Sequence, residues 1–100
     1  MGKFTLTDDA KWDMKEVKEA SLKTWNAAMT KVYLAGLLAA MNMLADHQVG
    51  NDASEHTWPG VLNWPCGSHY IYFVRIQEGI IVVGIIHQSR LPQAVKKREP

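Results

Sequence analysis

Cysteine occurs only once in this sequence, as Cys66, among 100 residues. An internal disulfide framework is therefore excluded, and with it the small secreted domains that depend on such bridges. The formal net charge is only +1 at pH 7, so the strong, sequence-independent attraction to phosphate of a highly basic domain is not expected. Generic nucleic-acid binding is not indicated.

A secretory signal and a membrane span are also not indicated. The opening residues 1–5 lack the charged and then apolar plan of a signal peptide. The stretch 32–45 is strongly apolar, but it contains Asn42 and is shorter than the roughly 18 residues that a span needs. We interpret it as part of a buried core helix and expect a cytoplasmic protein.

The four histidines do not predict a metal site. His47, His56 and His69 show no spacing that would place them around a metal together with Cys66. No metal and no cofactor are predicted.

The length allows one small domain, residues 1–100, with a basic tail at about 93–100. A chain this short buries a modest fraction of its surface on folding. Covering apolar area with a partner would therefore stabilise it considerably, and dependence on a partner is expected.

Two helices are predicted in the first half of the chain. Thr7, followed by two aspartates, suits a helix start, and small or apolar residues then recur at helical spacing to about Lys23 and Thr24. A second helix is predicted from about Asn26 to Asp46, with a wide apolar surface.

The second half predicts a sheet. Residues 69–76 and 80–86 are rich in aromatic and β-branched side chains, and Gly79 lies in the turn between them, which predicts a β-hairpin. Short strands are expected at 4–6 and 61–63. The predicted fold class is α+β, with two antiparallel helices packed on one face of an antiparallel sheet. We expect the core to contain Met14, Val17, Leu37, Met41, Leu44, Ile71, Phe73, Val83 and Ile85.

The predicted last strand does not alternate polar and apolar residues, so both of its faces need cover. The two helices can cover one face, and no remaining segment is long enough to cover the other. A segment of a partner could do so. In the alternative, the strand is central and is shielded by Trp58 and Trp64 of the preceding loop.

The order of elements resembles the RelE/ParE toxin superfamily over nearly the whole chain. Several blocks resemble its ParE branch, with patterns such as LT-x-x-A-x-x-DL, x-x-W-G, G-S-H-x-I-Y-F and I-L-H-x-x-M-D. The matching stretches are Leu6 to Met14, Lys23 to Asn26, Tyr33-Leu34 with Leu37 and Leu44-Ala45, Gly67 to Phe73, and Ile85 to Arg90. The chain is most similar to the ParE toxins of three-component PaaR-PaaA-ParE modules, in which a small antitoxin, PaaA, accompanies the toxin and a separate regulator.

The resemblance implies a type II toxin that binds DNA gyrase, and an antitoxin of the PaaA or ParD kind that wraps the toxin with a helix and an extended segment. A hetero-oligomer with that antitoxin is expected, and no enzymatic activity. The chain departs from the family pattern at Leu62 or Asn63 and at Gly84, where relatives commonly carry arginine, and at Leu91-Pro92.

Two groups of site residues are predicted. The target is expected to contact the last strand end and the basic tail, namely His87, Gln88, Ser89, Arg90, Lys96, Lys97 and Arg98. A solvated, frayed terminus is the alternative for the tail. The antitoxin is expected to contact Trp58, Trp64, Tyr70, Tyr72 and Ile81.

The alternative function is ribosome-dependent mRNA cleavage, as in the RelE branch. That chemistry needs basic residues and a general acid or base near a 2′-hydroxyl. The candidates here are Arg75, His87 and Arg90, with Tyr70 and Tyr72 nearby. They form a weak signal, and a structural hydrogen bond at a strand end is the more ordinary role for His87.

Overall fold

A computed structural model describes residues 2–90, 93–96 and 98. Three helices and five strands form the fold. The helices are α1 (Asp8–Thr24), α2 (Ala27–Asp46) and α3 (Gln93–Lys96), and the strands are β1 (Lys3–Leu6), β2 (Asn51–Asp52), β3 (Val61–Cys66), β4 (His69–Ile76) and β5 (Gly79–His87). The predicted α+β class is confirmed, and so are both long helices and the hairpin. The sequence patterns missed β2 and α3.

Both long helices begin where their capping residues predict. The Thr7 hydroxyl accepts the N–H of Ala10 at 3.1 Å, and the Asn26 side chain accepts the N–H of Met29 at 2.8 Å. Each side chain satisfies a backbone donor that the first helical turn cannot satisfy itself. With only residues 25 and 26 between them, α1 and α2 form an antiparallel pair.

The sheet has the order β1-β5-β4-β3-β2. β1 pairs with β5 in parallel, from Lys3 opposite Gly79 to Leu6 opposite Val82, and the other pairs are antiparallel. The expectation of a wholly antiparallel sheet was therefore wrong at one edge. The helical hairpin returns the chain to the end of the sheet at which β1 finishes, so β2 runs opposite to β1. The three reversals between β2 and β5 then give β5 the same direction as β1.

The main core lies between the helices and one face of the sheet. Its fully buried members include Leu37, Met41 and Leu44 of α2 and Ile71 and Phe73 of β4. Of the other predicted core residues, Val17 and Ile85 are buried there, and Met14 is partly buried against them. Val83 is buried too, but on the opposite face of the sheet.

The opposite face is partly covered by the chain itself, contrary to expectation. A second cluster of buried residues contains Ala53, Val61, Tyr72, Val83, Ile86 and Val95. Ala53 comes from the loop after β2, and Val95, on α3, is 0% exposed. The C-terminal segment is therefore a packed part of the fold, because it buries apolar area over the centre of β5.

The interpretation of α2 as a buried core helix holds for only one stripe of the helix, which packs in the main core. By length and composition α2 could cross a membrane, yet its buried residues pack on the sheet. Met29, Val32 and Leu38 are exposed on its other sides. The wide apolar surface predicted from sequence is thus divided between the core and the solvent.

A bulge in β5 lies at the edge of the sheet where the site described below is formed. Tyr72 pairs with Gly84 and Phe73 with Val82, so Val83 has no direct partner on β4. On the other side, β1 ends opposite Val82, where the Thr7 N–H reaches the Val82 carbonyl at 3.0 Å. Among the residues that the structure describes, no strand therefore lies beside the outer edge of β5 from Val83 onward.

Candidate functional site

Asp13 and Arg98 occupy the edge of β5 that β1 leaves open. One carboxylate oxygen of Asp13 accepts the Ile85 N–H at 3.0 Å, and one guanidinium nitrogen of Arg98 donates to the Val83 carbonyl at 3.0 Å. The two side chains also pair with each other, at 2.6 and 2.9 Å. They satisfy backbone groups that a neighbouring strand would otherwise satisfy.

Gly84 makes this arrangement possible. A Cβ on Gly84 would lie 2.9 Å from the Arg98 guanidinium and 3.3 Å from Val95. The side chain of Arg98 thus passes through space that any larger residue at position 84 would fill. The neighbouring Asp13 carboxylate raises the pKa of Arg98 above its ordinary value.

The predicted target-binding role of Arg98 needs correction. Its side chain is 18% exposed and is held in the ion pair, so it is not a free surface cation. The sequence could not show this, because the partner carboxylate lies at the other end of the chain. Lys96 is exposed as predicted. Lys97 lies outside the described residues.

Next to this pair, a cleft of about 440 Å³ opens between the helical hairpin and the ends of β4 and β5. We call it the hairpin cleft. Its apolar lining includes Val17, Ala20, Trp25 and Ile85, and its polar lining includes Asp13, Glu16, Ser21, Thr24, Tyr33, Ser68, His69, His87 and Arg90.

Tyr33 ties the helical hairpin to the sheet within this cleft. Its hydroxyl accepts the Ser68 N–H at 2.9 Å and lies 2.6 Å from Nδ1 of His69. The contact between the hydroxyl and Nδ1 joins α2 to the start of β4. Burial, assisted by the nearby His87, lowers the pKa of His69, in agreement with a neutral ring.

His87 is oriented in a similar way. Its Nδ1 accepts the backbone N–H of Ser89 at 3.1 Å and lies 2.8 Å from the Ser89 hydroxyl. Nδ1 is thus occupied as an acceptor, which fixes the orientation of the ring. The rings of His69 and His87 meet edge to face, with centroids 5.2 Å apart. Two imidazole rings thus line one end of the hairpin cleft.

The four predicted residues at the end of β5 lie together and are all exposed, but their polar groups differ in the hydrogen bonds that they make within the fold. Gln88 is engaged by the fold, since its side-chain amide donates to the Gly67 carbonyl at 3.1 Å. The backbone N–H of Arg90 donates to the His87 carbonyl at 2.9 Å and closes the turn after β5. Its guanidinium side chain lines the hairpin cleft and makes no ion pair with the described residues.

Arg75 has a structural role. Its guanidinium donates to the carbonyls of Leu44, His47 and Val49 at 3.0, 2.5 and 2.6 Å, and so satisfies the carbonyl end of α2 and the following loop. It lines neither the hairpin cleft nor the end of β5. The structure therefore separates Arg75 from the other ribonuclease candidates, His87 and Arg90.

The predicted antitoxin-binding residues do not all share a face. Trp58, Tyr70 and Ile81 are partly buried on the face of the sheet opposite the helices. Tyr72 lies among them but is only 2% exposed. Trp64 packs with the main core on the helical side. Strand alternation explains the difference, because even and odd positions of one strand point to opposite faces.

The sequence patterns missed Asp13 and Tyr33, which organise the site. In the sequence Asp13 resembles any other carboxylate on a helix. What distinguishes it in the structure is its burial, at 4% exposure, which is unusual for a charged side chain. Burial raises the pKa of Tyr33. Among the described residues, no group of three or more histidine, cysteine or acidic side chains is placed to hold a metal ion.

Comparison with known proteins agrees with this architecture. A family model described as "ParE toxin of type II toxin-antitoxin system, parDE" matches residues 4–92. Toxin ParE1 of Caulobacter vibrioides is 25% identical over 89 residues, which are 89% of this chain and 92% of that toxin. A solved structure titled "Chromosomal ParDE TA system from P. aeruginosa" superimposes with a TM-score of 0.72 at 15% identity, over 87% of this chain and 96% of that one.

The structural likeness supports the fold, with two helices on a five-stranded sheet. The family match supports the classification, because it spans β1 through the end of the hairpin and the turn beyond it. The chain therefore belongs to the ParE toxin family of type II toxin-antitoxin systems.

Proposed function

We propose that this toxin acts in the cytoplasm, where it inhibits growth by binding DNA gyrase and is neutralised by direct contact with its antitoxin. The family match over residues 4–92 carries the proposal. The toxin acts by occupying its target rather than by turning over a substrate. A PaaA-like antitoxin, as the sequence resemblance implies, is part of the proposal.

The exposed surface at the end of β5 supports a target-binding role. His87, Gln88, Ser89 and Arg90 are exposed there, and Lys96 is exposed on α3. These residues offer hydrogen-bond donors and positive charge to a protein surface or to DNA held by the enzyme. Such attraction should weaken as salt increases.

The sheet face opposite the helices supports antitoxin binding. Trp58, Tyr70, Val74 and Ile81 are only partly buried there, although each packs against the second cluster. A partner segment that covered them would bury further apolar area, which stabilises the native state.

Co-purification and activity assays test the proposal. The protein encoded beside this toxin should co-purify with it, and the released toxin should inhibit gyrase supercoiling or trap cleaved DNA. The replacement His87→Ala gives the matched ribonuclease test, because an imidazole that transfers protons cannot be replaced by a methyl group. Cut cellular mRNA that disappears with this variant, without any effect on gyrase, would favour the alternative function.

A further inference from the structure

We propose that the outer edge of β5 is a self-complementary pairing surface for a second copy of this chain, and that Asp13 and Arg98 keep this surface closed. The inference goes beyond the proposed function, because it concerns the toxin alone and neither its target nor its antitoxin. It starts from the two backbone groups that the ion pair occupies, the Ile85 N–H and the Val83 carbonyl.

The free part of this edge runs from residue 83 to residue 87. β1 pairs with β5 only as far as Val82, and within the described part of the chain no strand lies beside residues 83–87. Along a strand, alternate residues direct both their N–H and their carbonyl to the same edge. Since the Val83 carbonyl and the Ile85 N–H point outward, the Ile85 carbonyl and the His87 N–H point outward too.

These backbone groups suit pairing with an identical edge. In an antiparallel arrangement with a two-fold axis at Ile85, the N–H of each Ile85 faces the carbonyl of the other. Each Val83 carbonyl then faces the His87 N–H of the other copy. The aligned stretch stops at Val83, just past the residue where β1 ends, so β1 does not obstruct the second strand.

The side chains of β5 suit a second copy as well. β5 has no charged residue from Gly79 to Ile86, so two copies of it would meet without repulsion. Uncharged edges rich in β-branched residues are common sites of pairing between sheets. Neither lysine nor proline, which often block such pairing, occurs in β5.

Asp13 and Arg98 supply that protection from outside the strand. A second strand cannot pair while Asp13 accepts the Ile85 N–H and Arg98 donates to the Val83 carbonyl. Removing Arg98 alone does not open the edge, because it would leave two buried Asp13 carboxylates near each other at the two-fold axis. Asp9 lies 4.0 Å from Arg98 but is 59% exposed, so water solvates its charge. Both members of the ion pair therefore have to be replaced before two copies can pair.

Sedimentation velocity of the purified chain measures this pairing. Asp13→Ala/Arg98→Ala removes both members of the ion pair, and Arg98→Ala removes one. Adding Gly84→Lys to the double variant places a cation on the edge, and the loss of Arg98 makes room for it, since a Cβ at Gly84 would lie 2.9 Å from that guanidinium. Adding Ala39→Lys instead is the matched control, because Ala39 is exposed on α2. Circular dichroism shows whether each variant is folded.

We expect the unaltered toxin and Arg98→Ala to sediment as monomers and the double variant to form dimers. Its dimer dissociation constant should be at least about tenfold lower than that of the unaltered toxin. Gly84→Lys should return the double variant to a monomer, and Ala39→Lys should not. General aggregation of destabilised chains predicts the opposite order, because Arg98→Ala leaves an unpaired buried charge and is the less stable variant.

A folded double variant that stays monomeric would overturn the proposal, and so would a dimer that survives Gly84→Lys. A monomeric double variant with raised affinity for the antitoxin would assign the edge to the antitoxin and not to a second copy. If the double alanine variant is unfolded, Asp13→Asn/Arg98→Met decides in its place, because it removes both charges and keeps most of the side-chain volume. The gyrase and antitoxin assays of the proposed function are independent of each of these outcomes.

Discussion

Asp13 and Arg98 are 85 positions apart in sequence and form a two-point ion pair, with nitrogen-oxygen distances of 2.6 and 2.9 Å. Their remaining hydrogen bonds go to the backbone of β5, at Ile85 and Val83. The pair therefore joins α1, the open sheet edge and the C-terminal segment. Its side chains are 5% and 18% exposed.

Removing one member of this pair should be costly. Arg98→Met would leave the Asp13 carboxylate buried without its counter-charge, which we expect to lower the free energy of unfolding by about 3 kcal/mol. The measurement is urea denaturation. The double variant Asp13→Asn/Arg98→Met should lose less than the two single variants together, because its loss includes no unpaired charge. Additive losses would show that the two side chains do not stabilise each other.

Truncation after Leu91 should destabilise the fold as well as remove charge. It deletes Val95, which is 0% exposed, and Arg98, so we expect a loss of at least about 3 kcal/mol by thermal or urea unfolding. Lost toxicity in this variant would not identify a target contact. Lys96→Gln separates the effects, since Lys96 is exposed on α3. If the charge of the tail engages the target, Lys96→Gln should reduce growth inhibition at unchanged stability.

Acid should loosen the connection between the helical hairpin and the sheet. The pKa of His69 is lowered from its ordinary 6.5 by burial and by His87, so the unfolded chain binds this proton more readily than the folded one. Stability should therefore rise with pH through the window below about 6.5 and be lost as pH falls through it. The buried Asp13 charge opposes this effect in part.

The histidine effect can be isolated by replacement. His69→Gln should flatten the dependence of the free energy of unfolding on pH in that window, and His56→Gln, in an exposed loop, is the matched control. Equal slopes in the two variants would show that His69 does not control the acid response. Denaturant unfolding at several pH values supplies the comparison.

Arg75 should contribute to stability and not to toxicity. Arg75→Ala leaves the carbonyls of Leu44, His47 and Val49 without their donor, for an expected loss of about 2 kcal/mol. Arg75→Lys should recover less than half of this loss, because an ammonium group cannot reproduce the planar fork. Lys18→Ala on the exposed side of α1 is the control. Abolished toxicity in a fully stable Arg75 variant would contradict the structural role.

Local signals in the sequence were enough to predict α1, α2 and the β4-β5 hairpin. Capping by Thr7 and Asn26, helical spacing and the turn at Gly79 all act between near neighbours. The parallel pairing of β1, the two-residue strand β2 and the packing of Val95 depend on contacts between distant residues. No local pattern indicates them.

The candidate site was only partly predictable for the same reason. His87 and Arg90 stand at a predicted strand end, so their neighbourhood followed from the hairpin. Tyr33 lies 36 positions from His69, and Asp13 lies 72 positions from Ile85, so neither contact could be inferred from spacing. The placement of Trp64 on the helical face shows the same limit, because the register of β3 decides which face that residue meets.

The parallel pairing of β1 also sets the order in which a nascent toxin can become complete. Residues 3–6 leave the ribosome well before residues 79–82, the part of β5 with which they pair. The contacts of Asp13 form later still, because its partners Ile85 and Arg98 are synthesised after that strand has begun. Such distant pairings slow folding and leave apolar surface exposed during synthesis. The open edge of β5 and its ion pair are therefore the last parts of the described fold that can form, after the segment that carries Arg98 has been synthesised.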